Sequence, residues 1–226
     1  MSWVSKTLSS TLGQKLLMAL TGLFLILFLV VHLAGNLQLL FPDGGESFNK
    51  YAATMASNPF IRVVSIGNFA FILLHVIYSI ILSRRNKQSR PVAYAVSKAS
   101  TNSVWASRNM GILGTIILVF LIVHLKGFYY EIKFGSVPMT SYEGVEFKDV
   151  YAIVANAYGN ILYVVFYVLS MGFLAFHLSH GFASAFQTLG LNHVKYSPLI
   201  KNVGLGFSIL IPALFALIPL VMFFQN

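Results

Sequence analysis

The 226-residue chain contains no cysteine. That absence excludes disulfides, thiolate-held iron–sulfur clusters and thioether attachment of a porphyrin. Charge is also scarce, at 9% of residues, where a soluble domain carries roughly a quarter. Acids are the scarcest charged class, six in all, so the formal net charge is +9. The positive balance does not point to nucleic acid, because the basic residues sit in loops between apolar runs, where membrane topology accounts for them. What fills the chain instead is apolar: 57% hydrophobic residues and a mean hydropathy of +0.77. Most of the surface is therefore expected to face lipid rather than water.

Crossing a bilayer takes about 20 mostly apolar residues. Five segments qualify, near Leu16–Leu40, Ile61–Leu82, Arg108–Tyr130, Asn160–Gln187 and Val203–Phe224. The fold class expected is an all-α integral membrane protein, a bundle of five transmembrane helices in a single domain over residues 1–226. Pro212 and Pro219 are expected to kink the fifth helix, where neighbours satisfy the freed carbonyls. The polar, serine-rich stretch Met1–Gln14 does not read as a cleaved signal, because the apolar run after it is too long for a signal core and ends in no small-residue cleavage site.

The loops set an expected orientation. Lys6, Lys15, Arg84, Arg85, Lys87, Arg90, Lys98, Arg108, Lys195 and Lys201 fall on the side of the N-terminus, with no acid among them. The other side holds Lys50, Arg62, Lys126, Lys133 and Lys148 and all six acids. The basic excess makes the first side cytoplasmic, which puts the C-terminus outside; the membrane expected is a bacterial inner (cytoplasmic) one.

Histidine carries the chemistry. The first four spans each hold it, as His32, His75, His124 and the pair His177/His180, and the fifth has none. A single such residue is commonly a hydrogen-bonded interior group. Four cases on four helices weaken that reading, because imidazole is costly in hydrocarbon and the spans hold almost no carboxylates to partner it. Depth sorts them. His32 and His124 come late in spans running outward, and His75 and His177 come late in spans running inward. At about 1.5 Å rise per residue this gives an outer pair and an inner pair. Two histidines at one depth can clamp a planar macrocycle from both faces, so two pairs imply two b hemes. Small residues stand near each, Gly35, Ser79, Gly127 and Gly181, and would let a porphyrin lie close to a helix, although small residues also serve ordinary helix packing. A proton relay through the same histidines is the competing reading.

The strings FLVVHLAGN, GGESFNKYAATMASNPF, LLHVIYS, FLIVHLKG and AFHLSHGF with QTLG after it, in that order and spacing, resemble the single-polypeptide diheme cytochrome b anchors of succinate:menaquinone oxidoreductases and quinol:fumarate reductases. The resemblance covers nearly the whole chain. It implies His32 and His124 as ligands of the outer heme and His75 and His177 as ligands of the inner heme. It also implies an iron–sulfur subunit and a flavoprotein subunit as partners, and menaquinone as electron acceptor. The family's ligand in the fourth helix stands four residues before a glycine, as His177 stands before Gly181. Some fumarate-reducing members carry a glutamate two residues before that ligand. Here that position is Ala175, which tilts the expectation toward succinate oxidation.

Other residues have weaker expected roles. His180 reads as a propionate or pocket residue beside the inner heme, and Arg84, Arg85 and Lys98 as propionate partners. The basic loop between the second and third spans is expected to dock the iron–sulfur subunit. Asn36, Gln38, Asp43 and Glu46 are candidates for a quinone or proton-handling site, although Pro42-Asp43-Gly44 also spells a turn. His193 reads as a solvated loop residue. Two alternative functions remain in view: the diheme anchor of a nitrate reductase or hydrogenase, and a proton-coupled transporter. Ligands from four separate helices argue against the first. The lack of a clear polar path or broken helix at mid-membrane argues against the second.

Overall fold

Polar residues decide where the apolar runs stop being helical. The computed structural model describes residue 6 and residues 9–89 and 103–225. Helix α1 spans Thr11–Asn36 and tightens into a 3-10 turn over Leu37–Leu40. Next come α2 (Glu46–Ser57), α3 (Pro59–Gln88), a short α4 (Trp105–Arg108) and α5 (Met110–His124). The chain beyond His124 widens into a π-helical segment over Leu125–Tyr130 and ends in α6 (Glu131–Phe134). A hairpin of β1 (Met139–Tyr142) and β2 (Val145–Lys148) leads to α7 (Val150–Tyr158). The last two helices are α8 (Ile161–Thr188) and α9 (Ser197–Gln225).

The protein is thus mostly helical, and five of its helical stretches are long and apolar enough to cross a membrane: Thr11–Leu40, Pro59–Gln88, Met110–Phe134, Ile161–Thr188 and Ser197–Gln225. Each overlaps one expected span. Most run further, because backbone hydrogen bonding continues past the apolar stretch until a capping side chain ends it. The Asn58 side-chain oxygen Oδ1 accepts from the backbone N–H of Phe60 at 2.9 Å, with Pro59 at the first helical position, which starts α3 two residues early. Asn160 caps α8 in the same way, accepting from Leu162 at 2.9 Å and Tyr163 at 3.3 Å. At the other end of α8, Gly190 takes the left-handed conformation (φ 79°), and Leu191 N–H reaches back to the Phe186 carbonyl at 3.0 Å. Helix α9 runs continuously through Pro212 and Pro219.

Little of this apolar surface is used inside the protein. In the most apolar window of α3 only 6% is buried, against 33% in α9. Side chains such as Leu27, Val63, Ile66 and Leu162 point outward. Outward apolar faces on self-satisfied helices are what hydrocarbon demands.

Two elements depart from the expectation of plain loops. The stretch after Pro42 folds into α2, and the stretch between the third and fourth spans folds into the hairpin and α7. The hairpin turns at Glu143-Gly144, both at positive φ (54° and 81°), between the paired Tyr142 and Val145. Asn49, 1% exposed, ties these pieces together. Its amide donates to Asp149 Oδ1 at 3.0 Å and to the Tyr142 hydroxyl at 2.9 Å, and its oxygen accepts from Tyr151 N–H at 2.9 Å. Asp149 in turn caps α7 by accepting from Ala152 N–H.

The residues cluster into two compact units, each assembled from parts of the same five long helices. The first comprises Met1–Phe28, Gly67–Thr115 and Phe176–Ile209, and the second Leu29–Ile66, Ile116–Ala175 and Leu210–Asn226. Each holds one histidine pair.

Candidate functional site

In the first unit, α3 carries His75 and α8 carries His177 and His180. The His75 and His177 rings have centroids 6.3 Å apart and planes inclined at 63°. Helix α1 comes close to His75 at Gly22, where an added Cβ would lie 3.4 Å from the ring. Thr21 fixes the proton on this imidazole. The Thr21 hydroxyl spends its hydrogen on a backbone carbonyl, Leu17 at 2.8 Å or Met18 at 3.1 Å. Its oxygen, 3.2 Å from His75 Nδ1, is then left to accept, so Nδ1 holds the proton and Nε2 the lone pair. His177 has the opposite condition: its Nδ1 is buried without a hydrogen-bond partner among the described residues.

In the second unit, His32 of α1 faces His124 at the end of α5, with ring centroids 5.8 Å apart and planes at 88°. Aromatic rings surround them. Phe215 lies 5.7 Å from His32, and Phe120, Phe128 and Tyr167 lie 5.6, 5.4 and 6.2 Å from His124. The Tyr167 hydroxyl is 3.3 Å from His124 Nδ1 and 3.1 Å from the Tyr163 hydroxyl. Asn36 Nδ2 donates to the His32 carbonyl at 2.7 Å and lies 3.3 Å from its Nδ1. The π-helical segment begins at the residue after His124, and such wide turns recur at functional sites.

Two imidazole nitrogens each about 2 Å from one metal ion put their ring centroids roughly 6 Å apart. Both pairs have that spacing. Among the described residues no group of three or more His, Cys, Asp or Glu gathers in one place. The donors come in twos, so a group bound there has to bring its remaining metal ligands with it, as a porphyrin does. The pairs therefore fit a bis-imidazole heme. Two of the four imidazoles, His75 and His124, also have at Nδ1 a hydroxyl oxygen of the kind that orients metal-bound histidine by accepting its proton.

The other expected residues divide. His180 is half-buried, one turn from His177, with no hydrogen bond to it. Arg85 donates to the Ser9 carbonyl at 3.3 Å, and Arg84 is exposed without a partner among the described residues. Lys98 lies outside the described residues. Asp43 shapes the turn before α2, accepting from Gly45 N–H at 3.0 Å and Ser47 N–H at 2.9 Å. Glu46 pairs with Lys50 at 2.5 Å. Gln38 sits in the 3-10 turn. Within this set, Asn36 lies against a histidine, bonded to His32. Gly35 and Gly127 make room for protein: a Cβ at Gly35 would strike the Tyr51 ring, and one at Gly127 the Tyr163 hydroxyl. Gly181 has open space beside it. His193 is exposed and bonded within its own loop.

No family model, curated protein or solved structure matches the chain. Thr21, Tyr163 and Tyr167 are the site residues that sequence reasoning passed over. Their signal was faint: a lone threonine inside an apolar span, and two tyrosines four residues apart.

Proposed function

We propose that the chain is the membrane-anchor cytochrome b of a succinate dehydrogenase complex, conveying electrons from an iron–sulfur subunit to menaquinone. His75 with His177, and His32 with His124, would each hold one heme b. Heme b bound in this way supplies reversible one-electron transfer. The observation that carries the reading is the presence of two facing imidazole pairs, 6.3 Å and 5.8 Å between centroids, on four apolar helices. Thr21 orients His75 by accepting its Nδ1 proton, and Tyr167 can do the same for His124. Both pairs sit within apolar spans, and aromatic rings flank His32 and His124. The chain has no cysteine for an iron–sulfur cluster, so that cluster and the succinate chemistry belong to partner subunits. The positive-inside rule puts the basic loop between α3 and α5 on the cytoplasmic face, where the iron–sulfur subunit would dock.

The test is the visible spectrum and pyridine hemochrome of the purified chain. Two low-spin b hemes per chain are expected. A chain that binds none, when produced with heme in supply, refutes the reading. Succinate dehydrogenase flavoprotein and iron–sulfur subunits should co-purify from the native membrane.

A further inference from the structure

Helix α8 ends in a turn that folds the chain back on itself. Gly190 takes the left-handed conformation, and Leu191 N–H bonds the Phe186 carbonyl. The reversal brings Asn192, Ser197, Ile200 and Lys201 beside Phe186 and Gln187, around a pocket of about 200 Å³ in the first unit. Sites for whole small molecules run to roughly 300–1,000 Å³. This one has room for a compact polar group and little more.

Its lining is rich in hydrogen-bond donors. The Ser197 hydroxyl donates to Asn192 Oδ1 at 2.8 Å, and its oxygen accepts from His193 N–H at 3.1 Å. Those two oxygens are therefore engaged. The Asn192 and Gln187 amide nitrogens and the Lys201 ammonium have no partner among the described residues. Charge then decides what kind of group fits. All six acids of the chain fall within Leu29–Ile66 and Ile116–Ala175, so the first unit has none. Lys201 has no carboxylate of its own unit to face, and its counter-charge has to come from outside that unit.

The rim is apolar. Leu191, Val194 and Leu199 are exposed, Val194 at 92%. Lys195 lies over the Tyr196 ring, 5.5 Å from its centroid. Exposed aliphatic side chains interleaved with lysine and tyrosine suit the boundary between hydrocarbon and headgroups. A phospholipid matches both parts, with its phosphate in the pocket and its acyl chains over the rim.

We propose that this pocket holds the phosphate headgroup of an anionic phospholipid, with Lys201 as its ion partner and the Asn192 and Gln187 amides as hydrogen-bond donors. The site is separate from both histidine pairs, and the proposal stands or falls independently of heme.

The probe is phosphatidylglycerol, added to the full chain in neutral-detergent micelles and counted by native mass spectrometry. Near physiological ionic strength, exposed charges more than about 8 Å apart are largely screened, so a built site stands out from diffuse attraction. The wild type should retain phosphatidylglycerol in preference to phosphatidylcholine. Lys201→Gln should weaken that retention about tenfold, through loss of one charge-assisted hydrogen bond. Lys195→Gln makes the same change of charge outside the pocket and should alter retention by less than about twofold. Both lysines are exposed, so both variants should keep the wild-type thermal melt. Equal losses in the two variants would reduce the effect to surface charge and overturn the proposal, as would equal retention of the two lipids. Displacement by inorganic phosphate, beyond that caused by chloride at the same ionic strength, would assign the pocket to a free anion instead. A chain that retains no phospholipid would leave Lys201 to a carboxylate of a partner subunit and would equally overturn the lipid site.

Discussion

The two histidine pairs have nearly the same spacing and very different surroundings. Around His32 and His124 lie aromatic rings, a tyrosine chain and an asparagine, and both Nδ1 atoms have polar neighbours. Around His75 and His177, one Nδ1 is engaged by Thr21 and the other has no partner among the described residues. Buried side-chain atoms without a partner, among the described residues, are Gln14 Oε1, Asn68 Oδ1 and His177 Nδ1, and all three belong to the first unit. Native proteins leave few such atoms, and those that remain commonly mark a functional or ligand site. The contrast separates two ways of preparing a site in an apolar interior. The second unit arranges its polar groups against one another. The first leaves them for something else to satisfy.

Removing a ligand should have the largest effect and tests whether the pairs are equivalent. His177→Ala and His124→Ala should each reduce heme from two per chain to one, measured by pyridine hemochrome. His180→Ala should leave both. Loss of a heme from His180→Ala but not from His177→Ala would reverse the assignment in the first unit.

A subtler pair of variants compares what orients each imidazole. Thr21→Val is close to isosteric and removes the acceptor that keeps the His75 proton on Nδ1. Heme affinity in the first unit should fall by roughly 10–100-fold, read as the rate of heme transfer to a scavenger globin. Asn36 acts on His32 in the opposite sense. It presents a donor to Nδ1, which favours the proton on Nε2 and competes with ligation there. Asn36→Leu is therefore expected to hold heme as firmly as the wild type, or more so. Equal losses in both variants would mean that the contrast between threonine and asparagine is only one of packing.

The second unit also depends on a polar hub that has no counterpart among the described residues of the first. Asn49→Ala removes bonds to Asp149, Tyr142 and Tyr151 in a buried position. It should cost about 2–3 kcal/mol in the stability of the α2–hairpin–α7 cap. The expected readout is faster amide exchange in that cap, with heme retention at His75 and His177 unchanged.

How much of this was readable beforehand differs between levels. Apolar length gave the five long helices, because hydrocarbon forces every backbone group into its own helix. Helical rise gave the pairing of His32 with His124 and of His75 with His177, the same partners that face each other in the structure. The cap of α2, the hairpin and α7 was not readable. It is held by Asn49 and Asp149, 100 residues apart, and neither has a local signature. The glycines misled for a related reason. Gly35 and Gly127 look like space for a porphyrin, but Tyr51 and Tyr163 occupy that space from elsewhere in the chain. Asp43 and Glu46 drew notice as acids beside an apolar span, and the structure gives both a local partner.

The smallest effect concerns Asp43, and it tests whether that acid serves the turn alone. The Ser47 hydroxyl, with the backbone N–H groups of Ser47 and Gly45, holds its carboxyl below the usual carboxylate range. A depressed folded value means that ionised Asp43 favours the folded turn. The contribution is complete above the ordinary aspartate pKa of about 4 and fades as pH falls through the lower folded value. Asp43 is only partly buried, so solvent screening keeps the effect slight. Amide exchange at Gly45 and Ser47 should show protection declining in acid below that range. Asp43→Asn keeps one oxygen acceptor and should remove the pH dependence while retaining most of the protection. The spectrum of the heme held by His75 and His177 should not follow this titration. If it did, Asp43 would be coupled to the first unit, and the separation between a self-satisfied region and a ligand-dependent one would have to be abandoned.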